Sequence, residues 1–133
     1  MDGIKRENVT EIRIPFRDID MHCHMHNAAY YAHAEAALAS LWRHRPVVEN
    51  EPAYLVRRSA CTFHRGLRFD DAARFTVTVA KLGGSSVTFT VRVETGDALA
   101  AELEVVWVAV NPAGKQPVPL PATTRDWLAG YAS

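Results

Sequence analysis

From Ala28 to about Trp42 the chain contains neither glycine nor proline and is crowded with alanine. Such a segment has strong intrinsic preference for helix. Tyr30, Ala34, Ala37, Leu38 and Leu41 fall on one face at helical spacing. Asn27 suits the N-cap position, and Pro46 stops the helix or closely follows its end. Most of the remaining chain alternates instead. Ile12, Ile14 and Phe16 alternate with charged residues, the period of a half-buried strand. Tyr54 to about Arg68 reads as one long or broken strand. Three more alternating runs follow, through Phe75, Val77 and Val79, then Val87 to Val93, then Leu99 to Trp107. Gly83-Gly84 and Thr95-Gly96-Asp97 separate these runs as tight turns, so the flanking strands pair antiparallel. Thr123 to Tyr131 is expected to close the chain as a short helix.

The order is therefore strand, long helix, then four strands expected to form a meander. One helix cannot cover both faces of a five-stranded sheet. The apolar faces are best buried if the sheet curls about the helix, and the alanines allow the close approach this requires. The expected class is α+β, a five-stranded antiparallel sheet wrapped around one long central helix, in a single domain over residues 1–133. That length supports one core but not two. Long strands leave an edge for a second subunit to pair with or cover, so at least a homodimer is expected.

Fifteen basic residues balance fifteen acidic ones. No global field draws in nucleic acid or an anionic membrane, and neither is expected as a partner. Cys23 and Cys61 lack CxxC spacing and are too few for a disulfide framework. They read as reduced thiols. Met1–Asn8 is charged, without the apolar core of a signal peptide, and no apolar run approaches the ~20 residues that span a membrane. The expected location is the cytoplasm.

The chemistry concentrates in the stretch from Phe16 to Tyr30, FRDIDMHCHMHNAAY. Two carboxylates, Asp18 and Asp20, sit in a loop feeding directly into a helix N-terminus. The first N–H groups of a helix lack internal partners and carry partial positive charge. They suit a carbonyl oxygen that is becoming an oxyanion. A carboxylate just upstream can attack that carbonyl or activate a water beside it. Thiolate leaves readily, so an acyl thioester is a natural substrate.

The stretch resembles the Asp-x-Asp-x-x-Gly-His-x-Asn-Asn-x-x-Tyr signature of the 4-hydroxybenzoyl-CoA thioesterase-like family of hotdog-fold proteins. Asp18 and Asp20 match the paired acids, His24 the histidine, Asn27 the second asparagine and Tyr30 the tyrosine. Glu35 matches an acid common in the family's helix. Cys23 stands where glycine is usual and His26 where the first asparagine is usual. Downstream, Thr62 to Asp71 is similar to a family segment that usually has proline at the position of Gly66 and glycine at that of Asp70. Leu82 to Ser86 and Asn111 to Pro121 resemble further family segments, so the likeness runs from about Glu11 to Tyr131.

The resemblance implies a hotdog fold and an acyl-CoA thioesterase with no cofactor or metal. Asp20 is implied as nucleophile or general base, and the backbone N–H near Asn27 as the carbonyl-polarising group. His24 and Asn27 would line the site. Glu35 is either a second catalytic carboxylate or the partner of an arginine. Tyr30 reads as a packing residue and, by position, as a candidate substrate contact. Arg57, Arg58, His64, Arg65 and Arg68 are the candidate phosphate contacts, since guanidiniums grip phosphates bidentately. Family members form dimers or tetramers with the site at a subunit interface.

Blander readings stand beside these. Asp18 and Asp20 can simply cap a loop or helix; Asp18 is read as structural and Asp20 as catalytic. His22, His24 and His26 alternate with Asp20 in a way that would suit a metal on a strand, but a loop does not hold that period. The arginine cluster can be a solvated face, with two or three members at most reaching one ligand. Cys23 has no evident base partner and reads as inert. Trp42, Phe63 and Trp107 are candidate walls of the acyl pocket. Other activities remain open: hydrolysis of an acyl carrier protein thioester, a hotdog dehydratase reaction, or an acyl-CoA binding module without turnover.

Overall fold

The alanine-rich segment forms helix α1 (Asn27–Trp42), which buries Ala29, Tyr30, Ala34, Ala37, Leu38 and Leu41 on one side. The computed structural model describes residues 5–133, so residues 1–4 of the charged stretch Met1–Asn8 lie outside the described residues. The strands are β1 (Asn8–Arg13), β2 (Ala53–Phe63), β3 (Ala72–Leu82), β4 (Ser86–Thr95) and β5 (Ala98–Val110), and α2 (Ala122–Ala129) follows. They form one antiparallel sheet in the order β1-β3-β4-β5-β2. Phe75, Val77, Val79, Val87, Phe89, Val91, Val93, Leu103 and Val105 are buried with the apolar face of α1 in one cluster. Helix α1 touches β3 and both edge strands, β1 and β2. Ala34 and Ala37 have almost no exposed surface, so methyl-sized side chains set how closely helix and sheet approach.

Three expectations change. Strand β1 stops at Arg13 instead of continuing through Phe16, because Pro15 has no N–H to extend the ladder. Phe16 opens a 3-10 turn, Phe16–Asp18, and is 74% exposed. The N-cap of α1 is His26, with Asn27 the first helical residue, and no side chain caps that end. Finally, β2 does not join the meander. It ends at Phe63 and pairs with β5, while only β3, β4 and β5 follow one another as neighbours. The chain after Phe63 needs residues 64–71 to reach β3, which is far too long for a tight hairpin. That connection crosses beside the start of α1, and the candidate site forms where it crosses.

Candidate active site

Residues 18–26 form a small hairpin. The His26 N–H donates to the Asp18 carbonyl at 2.9 Å, and Ile19 bridges Met25. At the tip, the Cys23 N–H donates to the Asp20 carbonyl and the Asp20 N–H to the His24 carbonyl, both at 3.0 Å. This pairing needs one left-handed residue at the end of the turn, and Cys23 supplies it with φ of 66°. It stands where the resembling family has glycine, as does Asp70, whose φ is 68°. Both substitutions therefore keep the left-handed backbone that glycine would adopt with less strain. The His22 N–H donates to Asp20 Oδ1 at 2.8 Å. One carboxylate oxygen is thus tied to its own turn, which fixes the rotamer.

The hairpin is tied to its surroundings on two sides. Asp18 Oδ2 lies 2.7 Å from Nε2 of His33 on α1, both side chains largely buried. His33 did not emerge from the sequence. Its only signal was an imidazole on a helix made mostly of alanine and other apolar residues. On the other side, the crossing segment takes the Met25 N–H onto the Leu67 carbonyl at 2.7 Å, and the Leu67 N–H donates to the Tyr30 hydroxyl at 3.3 Å. Leu67 is fully buried. Burial pushes the Tyr30 phenol above its ordinary range, opposed by that Leu67 hydrogen bond. Tyr30 also meets Phe63 edge-on, with ring centroids 5.0 Å apart. Burial likewise pushes the Cys61 thiol up to about 11, which keeps it in the neutral, unreactive form.

Asp20, His24, Asn27, Tyr30, His64 and Arg65 all line one cleft of about 350 Å³ at the mouth of α1. His22, Met25, Phe63 and Gly66 complete its wall. The other expected site residues lie elsewhere. Glu35 faces a second cleft of about 380 Å³, with Trp42, Tyr54 and Trp107, where desolvation raises its carboxyl above the ordinary range. Arg57 occupies an irregularity in the β2–β5 pairing and is exposed. Arg58 pairs with Glu104 on the sheet surface. Arg68 is exposed in the crossing segment, where its N–H donates to Asp71. His64 reaches the cleft while lying 3.2 Å from Glu102. Among the described residues, no group of three or more His, Cys, Asp or Glu side chains is arranged to hold a metal ion. No helix among them is long and apolar enough to cross a membrane.

This topology is that of the hotdog proteins, and solved structures superpose on it over nearly the whole chain. The PA5185 protein of Pseudomonas aeruginosa PAO1 is 27% identical, with 94% of this chain and 91% of that one covered at a TM-score of 0.82. The SAV2348 protein of Staphylococcus aureus, solved in complex with CoA, is 18% identical, with 98% and 87% covered at a TM-score of 0.87. Residues 14–128 match the Thioesterase-like superfamily, and the chain belongs to that family. The acyl-CoA thioester hydrolase YbgC of Escherichia coli O157:H7 is 27% identical over 116 residues, covering 83% of this chain and 87% of its own.

Proposed function

We propose that this protein hydrolyses acyl-CoA thioesters to the free acid and CoA, with Asp20 as nucleophile or general base. The observation that carries this reading is the joint placement of Asp20 and the uncapped start of α1 in one cleft. The thioester carbonyl lies against the N–H groups at Asn27 and Ala28, which have no side-chain capping acceptor. Donors so placed are worth about 100- to 1000-fold in turnover, because they stabilise the oxyanion without reorganising. Asp20 either adds to the carbonyl, releasing CoA thiolate and leaving an anhydride that water opens, or takes a proton from the attacking water. Either route yields one acid and one CoA. His24, Asn27 and Tyr30 shape the cleft around the reacting carbonyl. Arg65 and His64 at its rim meet the CoA phosphates. Similarity to YbgC and to a protein solved with CoA supports CoA as the carrier.

The sheet is read as wrapped around α1, since the helix touches both of its edges. The reading includes a homodimer or homotetramer with the site at a subunit interface. Strand β2 is an outer edge strand, and Leu55, Val56 and Phe63 on it are exposed. Sedimentation as a monomer would remove this part of the proposal. The cytoplasm is the proposed location.

The decisive experiment is a thiol-release screen over short, long and aromatic acyl-CoAs, with matched acyl carrier protein thioesters, on the wild type and Asp20→Asn. Asparagine keeps the oxygen that accepts the His22 N–H, so the hairpin is expected to persist and the melting temperature to hold. Loss of general-base or nucleophilic catalysis is expected to cost at least about 100-fold in kcat. A fully active Asp20→Asn protein rules Asp20 out.

A further inference from the structure

The crossing segment passes the His24 side chain of the candidate hairpin at Gly66. A Cβ built there would sit 2.5 Å from Cδ2, 2.7 Å from Cγ and 3.0 Å from Nε2 of His24. The imidazole therefore lies against the bare Cα of Gly66, in space any side chain would occupy. Gly66 has no positive φ, so the left-handed strain that would single out glycine does not apply there. What glycine supplies at this position is room for the ring. One residue on, the hydrogen bond from Met25 to Leu67 ties the two segments together, so the backbones cannot simply part. The ring is the element that must give way.

We propose that Gly66 is a positioning residue for His24: the flat surface it presents holds the imidazole in the cleft beside Asp20. The proposal rests on the reading of that cleft as the thioester site. Bringing the ring to ordinary contact with an alanine methyl needs a shift of about 1 Å. A displacement of that size at a reacting centre costs up to about 100-fold.

The test is a two-by-two set: wild type, Gly66→Ala, His24→Ala and the double variant. Each is measured for kcat and KM on the acyl-CoA that the screen identifies. The His24 ring proton resonances are followed by NMR, assigned by their disappearance in His24→Ala. Gly66→Ala is expected to lower kcat/KM by about 10- to 100-fold and to move the His24 resonances. In the His24→Ala background the same change is expected to have no further effect, because the clash is gone. Equal losses in both backgrounds, or unmoved resonances, overturn the proposal. Should Gly66→Ala fail to fold, the double variant still decides: recovery of folding supports the ring clash, and failure to recover overturns it. A wild type without activity on any thioester defeats the functional reading instead, and the NMR shifts then judge the positioning role alone.

Discussion

Replacing Cys23 by glycine is expected to stabilise the protein. Cys23 closes the candidate hairpin in the left-handed region, with φ of 66°. For an L-residue that conformation costs about 1–2 kcal/mol. Glycine removes this strain but loses more backbone freedom on folding, about 0.5–1 kcal/mol. Cys23 is exposed, so its thiol contributes little burial energy to offset. The net gain is about 0.5–1 kcal/mol, which for a chain of this size raises the melting temperature by about 2–4 °C. Calorimetric melting of wild type, Cys23→Gly and Cys23→Ala separates backbone from thiol. Alanine lacks the thiol but keeps the strain, so its melting point should match the wild type within about 1 °C. A Cys23→Gly protein that melts below the wild type, or a Cys23→Ala protein that gains as much, refutes the strain argument. Asp70→Gly offers a parallel case at φ of 68°. Its gain should be smaller, because aspartate tolerates that region better.

Two more outcomes are expected. His33→Ala unties Asp18 from α1 and leaves a largely buried carboxylate without its hydrogen-bond partner, costing about 1–3 kcal/mol in denaturant unfolding. It should also lower kcat more than it raises KM, since it frees the hairpin that carries Asp20. The Glu35 carboxyl titrates above its ordinary 4.5 in the folded protein, because partial burial disfavours its charge. The folded state thus holds that proton more tightly than the unfolded chain, so its contribution is present below 4.5 and is lost as pH rises through the raised value. Wild-type stability relative to Glu35→Gln should therefore fall across that window. A relative stability independent of pH there would show that burial does not perturb Glu35.

Much of the architecture was legible because it depends on short-range periodicity. The glycine-free alanine run, the alternating apolar residues and the Gly83-Gly84 and Thr95-Gly96-Asp97 turns each mark an element through local preference. Asp20, His24 and Asn27 could be grouped because they lie within eight residues of one another at a helix start. The fit of Gly66 against His24, the pairing of Asp18 with His33 and the separation of Glu35 from Asp20 bear no such local mark. Each depends on where residues 64–71 cross and how closely α1 sits against the sheet. Those are set by packing the whole core at once, because a strand's partner and a side chain's neighbours follow from the burial of distant apolar surfaces. Sequence alone determined the helix, the runs that become strands and the place of the acid-bearing loop beside the helix mouth. Tertiary structure decided that β2 pairs with β5, and so which residues from the far side of the chain close over that mouth.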